Sequence, residues 1–241
     1  MWSIMLVIIL NSGIGKRLFP LTEEIPKCMV KIGQKTILER ELDILKKLGL
    51  NKLLITTGPF EEKIKELISS NYSDLEVKYV HNPVYDKTNY IYSIWLAKEI
   101  IEKETEEEIL LLHGDLLFEK EVMTKLLSCS HENSVIINSK APLPEKDFKA
   151  RVENDLVKEI GVNVWTNALF CIPIYRMKRD FFKKWLDEMD KMIEKGEKQC
   201  YAENALNVLL DDLHLHSCYI DKEKCMEIDT FEDIKIAEKD F

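Results

Sequence analysis

Apolar positions in the first half of the chain fall into short runs that alternate with helical patterns. Residues 5–10, 52–57, 77–80 and 109–113 are β-rich and bounded by turn residues. Between them, 36–48, 60–69 and 91–103 carry apolar residues at helical spacing, with Glu and Lys on the outer face. Leu38, Leu42, Leu45 and Leu48 lie on one such stripe and are core positions. This alternation predicts an α/β fold with a mostly parallel central sheet and right-handed crossovers.

Beyond Asp115 the pattern changes. Residues 134–138, 148–152, 156–160 and 168–172 read as strands, followed by a long amphipathic helix over 179–194. Tyr201 to Leu210 reads as a further helix, and His214-Leu215-His216 as part of a strand with both histidines on one face. No internal repeat, low-complexity tract or Pro/Gly/Ser linker separates the two stretches. A single domain over 1–241 is expected, with halves 1–117 and 118–241 sharing a core and the site between them.

Composition narrows the classes of partner. The chain has 241 residues, 46% of them hydrophobic, which suffices for a continuous core. A net charge of -9 without a basic cluster argues against a nucleic-acid surface. Six cysteines without a CxxC pair, and no signal peptide, point to reduced thiols and a cytoplasmic location. The apolar run 4–10 is far shorter than the roughly 20 residues a membrane helix needs, so no membrane partner is expected. The five histidines show no zinc spacing with the cysteines and are assigned no metal.

The candidate chemistry begins where the first strand ends. It runs into Asn11-Ser12-Gly13-Ile14-Gly15-Lys16-Arg17, then Pro20-Leu21-Thr22 and Pro26-Lys27. A strand, a glycine turn and cations in that order form a phosphate-binding arrangement. Gly13 and Gly15 let backbone N–H groups approach a triphosphate, and Arg17 and Lys27 can neutralise its charge as pyrophosphate departs. The GKS/T ending of a P-loop and the third glycine of a dinucleotide fingerprint are both missing. A GxG alone is equally well a tight turn, and Pro26-Lys27 tips the balance.

These residues carry a resemblance. Leu10 to Leu18 with Pro26-Lys27-Cys28-Met29-Val30 resembles the N-terminal signature of the sugar-nucleotidyltransferase superfamily. The likeness continues through Gly33 to Glu39, Asn82 to Ser93, Gly114-Asp115 and Glu227-Ile228-Asp229-Thr230. The Asn-Pro-x-Tyr and Thr-Asn…Ser segment looks most like the branch of bacterial CTP:phosphocholine cytidylyltransferases and relatives acting on small phosphates or phosphonates. The resemblance implies a Rossmann-like nucleotidyltransferase fold with a nucleotide-binding half, 1–117, and an acceptor-binding half, 118–241. It further implies CTP as donor, a small phosphorylated or phosphonate acceptor, and a role in decorating cell-surface polysaccharide or lipid.

Asp115 and Asp229 are the expected metal ligands. Aspartates at strand ends suit Mg²⁺, a hard cation that takes oxygen ligands. The competing readings are a turn residue for Asp115 and a helix N-cap for Asp229, and the matching family positions favour the metal. Asn11, Ser12, Gly13, Gly15, Gly58, Asn82 and Asn89 are the expected nucleotide contacts. For the last three, plain turn formation is an equal alternative.

Resemblance also places the acceptor beside Asp115, with Lys149, Trp165, Tyr201 and Glu203 as candidates and Asn204 beside them. Lys149, or else Lys146, would pair with the acceptor phosphate, because Val162 follows Gly161 where many relatives carry lysine. Glu203, aided by Tyr201, would face a cationic or polar end, although Ala202 stands where an aromatic is expected for a choline cage. A solvated strand lysine and an exposed helical glutamate are the competing readings. The enzyme is expected as monomer or homodimer. The alternatives are a sugar-1-phosphate uridylyl- or thymidylyltransferase and a catalytically silent nucleotide-binding module.

Overall fold

A computed structural model of the protein describes residues 5–241; Ile4, which opens the apolar run noted above, lies outside them. The first half runs β1 (Met5–Asn11), β2 (Lys31–Ile32), β3 (Lys35–Thr36), α1 (Ile37–Lys47), β4 (Lys52–Thr57), α2 (Glu61–Asn71), β5 (Glu76–His81), α3 (Tyr90–Leu96), α4 (Lys98–Lys103) and β6 (Glu108–His113). Both β1 and β6 are buried along nearly their whole length, as strands covered by helices on two sides must be. Parallel pairing joins β1 to β4 and β6, with Val7 opposite Leu53 and Leu110, and β4 to β5.

The second half adds β7 (Leu116–Phe118), α5 (Lys120–Ser128), β8 (Ser134–Asn138), β9 (Lys149–Glu153), β10 (Leu156–Gly161), β11 (Ala168–Lys178), α6 (Arg179–Glu194), α7 (Ala202–Asn207), β12 (His216–Ile220), β13 (Cys225–Glu227) and α8 (Phe231–Asp240). It extends the same sheet to nine strands, in the order β5-β4-β1-β6-β11-β8-β12-β10-β9. The sheet is therefore mixed: β11 runs antiparallel to β6, β8 and β9, while β12 returns parallel to β8.

Period-two alternation splits the interior into two layers. Met5, Val7 and Ile9 of β1 face α1, α2 and α5, and Leu6 and Ile8 face α3, α4, α6 and α7. Residues of both halves line both layers: Ile136 and Ile172 lie in the first, Tyr175 in the second. Helix α1 starts where the sequence predicts, because Thr36 and Glu39 form a reciprocal capping box.

Four elements depart from the sequence-based expectation. The helix over 91–103 is two helices, since the Ala97 N–H bonds back to the Ile94 carbonyl and the ladder tightens there. The strand expected to stop at 172 runs on to Lys178. Pro173, which has no N–H to donate, falls inside a register shift against β8 between Ile172 and Tyr175, and the strand resumes beyond it. The helix over 201–210 closes at Asn207, and β12 takes up His216 but not His214. Among the described residues no helix is long and apolar enough to cross a membrane, and all six cysteines are free.

Candidate functional site

The glycine turn leaves β1 at the carboxyl edge of the parallel strands, where ligands of open α/β sheets bind. Asn11 and Ser12 are buried there, and the Ser12 hydroxyl donates to Thr56 Oγ1 at 3.0 Å. Thr22 donates to the Gly15 carbonyl at 2.8 Å and fixes the far side of the turn. Two glycines are demanded by close approach. A Cβ on Gly58 would stand 2.3 Å from the Ser12 carbonyl oxygen, and one on Gly114 would stand 1.9 Å from Asn11 Oδ1. Gly58 thus seats the phosphate loop against β4, which is a packing reason for glycine at this position.

Lys27 opens the short 3₁₀ turn Lys27–Met29, and its ammonium joins the two expected metal carboxylates, 2.6 Å from Asp115 and in contact with Asp229. Arg17 holds the other oxygen of Asp229 at 2.5 Å while remaining largely exposed. Burial alone would lower the Lys27 pKa, but the two aspartates outweigh it and hold the ammonium charged. Burial likewise pushes the Asp115 carboxyl up, and Lys27 wins, keeping it below the usual carboxylate range. Asp229 is not a helix cap. Thr230 caps α8 with Asp233, which leaves the Asp229 side chain free for the site.

What brings Asp229 to Asp115 is a ribbon that sequence reading missed. Strand β13 pairs with β7, Glu227 opposite Leu116, and the Ile228 N–H donates to the Asp115 carbonyl at 2.9 Å. Glu227 and Asp147 join Asp229, with one carboxylate oxygen of each within 4.8 Å of the others. Burial raises the pKa of both Glu227 and Asp147, and the neighbouring carboxylates raise them further. Asp115 Oδ1 and Glu227 Oε1 are buried without a hydrogen-bond partner among the described residues. Unpaired, acceptor-only oxygens of this kind fit a hard divalent cation.

A cavity of about 150 Å³ beside Asp115 is lined by Ser12, Gly13, Asn82, Tyr90 and His113. Asn89 lies between it and a wider cleft of about 480 Å³ bordered by Gly161, Asn163, Tyr201 and Asn204. His113, to which the sequence assigned no role, packs edge-on to Tyr90 at 4.6 Å, and burial lowers its pKa. His113 ends β6 and lines the same cavity as Asp115, just as Glu227 ends β13 beside Asp229, so a polar residue at the last position of a buried strand was the available signal.

Several expected contacts are spent on the fold instead. Asn82 donates to Thr88 and Ser93 at 3.0 Å and accepts from the Val84 N–H, so both amide hydrogens are spent on the fold while Oδ1 keeps one lone pair toward the cavity it lines. Asn89 caps α3 through the Tyr90 N–H. Lys149 is completely buried. It donates to the carbonyls of Pro144 and Asp147 at 2.7 and 3.0 Å beneath the Trp165 ring, and is therefore neither a solvated lysine nor available to an acceptor phosphate. Glu203, 1% exposed, is neither on the helix surface nor open to a ligand cation. It accepts from the hydroxyls of Tyr90 and Tyr175, the latter at 2.9 Å, which satisfies the buried charge internally. Tyr201 packs on Tyr90 and Phe148 at the cleft margin, and Trp165 remains half exposed above Lys149.

Comparison with known proteins follows the same lines. Residues 6–148 match the family described as Nucleotidyl transferase. CTP:phosphoglutamine cytidylyltransferase of Campylobacter jejuni is 31% identical over 133 residues, 54% of this chain and 51% of that one. Choline-phosphate cytidylyltransferase of Streptococcus pneumoniae is 37% identical over 95 residues, 39% of this chain and 40% of that one. The matched region thus spans about half or less of these relatives. In fold, the chain superposes on the inositol-1-phosphate CTP transferase from T. maritima with a TM-score of 0.80 at 20% identity, covering 98% of this chain and 94% of that one.

Proposed function

This chain belongs to the nucleotidyl transferase family, and from that premise we propose that it transfers CMP from CTP to a small phosphorylated or phosphonate acceptor, releasing pyrophosphate. The observation that carries the reading is the convergence of the glycine turn, Arg17, Lys27, Asp115 and Asp229 at one edge of the sheet. The choice of CTP rests on the relatives named for cytidylyl transfer.

An acceptor oxygen attacks the α-phosphorus as the bond to the pyrophosphate oxygen breaks. The acceptor is already an anion, so no protein base has to be found. Charge neutralisation and alignment are the work left to the protein. Backbone N–H groups of the glycine turn, with Arg17 and Lys27, meet the negative charge that builds on the leaving group. Asp115 and Asp229, with Glu227 and Asp147 alongside, would hold a divalent cation, which we take to be Mg²⁺; when bound it supplies further neutralisation of phosphate charge. The acceptor enters through the cleft at Tyr201 and Asn204, next to the Asp115 cavity.

Pyrophosphate release, measured across four NTPs against phosphocholine, 2-aminoethylphosphonate and glucose 1-phosphate, tests the reading. CTP is expected to be the fastest donor. Faster turnover of UTP or dTTP with every acceptor would replace it with uridylyl or thymidylyl transfer.

A further inference from the structure

Lys149 is a completely buried lysine in the acceptor half. Its ammonium is shielded from solvent, and among the described residues no carboxylate forms a salt bridge to it. Instead it spends its hydrogen bonds on the carbonyls of Pro144 and Asp147, inside the loop between β8 and β9, and lies 4.1 Å beneath the centre of the Trp165 ring. Burying a lysine is costly unless its ammonium is hydrogen-bonded, and here those hydrogen bonds go to one loop. What it ties down is the segment that delivers Asp147 to Glu227 and Asp229.

Three carboxylates brought so close repel one another, and Lys27 and Arg17, which pair with Asp229, offset only part of that charge. A fold that uses a desolvated lysine to hold the third of them in place is building a site for positive charge. We propose that Lys149, roofed by Trp165, is a positioning residue that fixes Asp147 beside Glu227 and Asp229 in the divalent-cation site that Asp115 completes. The inference rests on reading this acidic group as the cation site of the transferase. Lys149 touches neither substrate nor cation and acts only through the carbonyls it holds. Trp165 supplies the low-dielectric cover and a π-face for the ammonium.

The test is binding of Mn²⁺ alone to the full chain, followed by electron paramagnetic resonance without nucleotide. Asp147→Asn is expected to weaken binding about tenfold, and Lys149→Met by a similar factor, since losing a group that orients a ligand commonly costs that much. The double variant should be no weaker than either single one, because both changes remove the same carboxylate contribution. Trp165→Ala, which leaves Lys149 in place and uncovers it, is expected to weaken Mn²⁺ binding less, and provides a second route should Lys149→Met not fold. Unchanged Mn²⁺ binding in Asp147→Asn or in both Lys149→Met and Trp165→Ala overturns the proposal, as do additive losses in the double variant. Wild-type turnover with CTP is a separate measurement, so failure of nucleotidyl transfer is distinguishable from failure of this positioning role.

Discussion

Lys27 serves two partners at once, which sets what its removal should do. Its ammonium neutralises Asp115 and Asp229 in the structure and stands where a transferring phosphoryl group would be neutralised. Losing one preorganised charge at such a position costs about 3 kcal/mol or more. Lys27→Ala should therefore lower kcat/KM by roughly a hundredfold. A change below threefold in steady-state pyrophosphate release would reduce Lys27 to a structural clamp between two aspartates. Glu41 poses the opposite case. It is 1% exposed, both of its carboxyl oxygens lack a hydrogen-bond partner among the described residues, and burial, with Asp115 nearby, raises its pKa well above the ordinary 4.5. A raised carboxyl means that the folded state binds more protons than the unfolded one. Its stabilising contribution is fully present below pH 4.5 and is lost as pH rises through the folded pKa. Glu41→Met should accordingly stabilise the protein by about 1–3 kcal/mol at neutral pH, and the gain should shrink toward pH 4.5. Denaturant melts of both proteins across that pH range check the sign.

At the scale of elements, the ribbon of β7 and β13 with the start of α8 governs the second aspartate. Asp229 lies between the ribbon and the capping box, and its own N–H bonds to Asp233 at 3.0 Å, the carboxylate that also accepts from the Thr230 N–H. Thr230→Ala removes one half of the box, at a cost of about 1 kcal/mol. In a chain of this length that lowers Tm by about 3 °C. Because Asp229 shares the acceptor, activity should fall further than the loss of stability alone explains, and Thr230→Ser should restore both. Equal activity in wild type and Thr230→Ala at a temperature where both are folded would detach the cap from the site.

For the whole molecule, the division between sequence and tertiary structure is physical. Sequence alone determined the features that are local or periodic. Buried runs made β1, β4 and β6, the Thr36 capping box set the start of α1, and the glycine turn with Pro26-Lys27 marked the phosphate end of the sheet. Resemblance named Asp115 and Asp229 together, although 114 positions separate them in the chain. Tertiary structure decided everything that depends on which polar group finds a partner. A short three-residue strand such as β13 carries too little periodicity to be read, yet its pairing with β7 is what unites the aspartates. Glu203 and Lys149 looked like ligand-facing charges because sequence records that a side chain is charged and not what satisfies it. Two tyrosine hydroxyls and two backbone carbonyls, drawn from segments remote from one another or folded back in a loop, fill those needs internally. A buried charge must be paired by something, and only the folded chain decides whether that partner is a substrate or the protein itself.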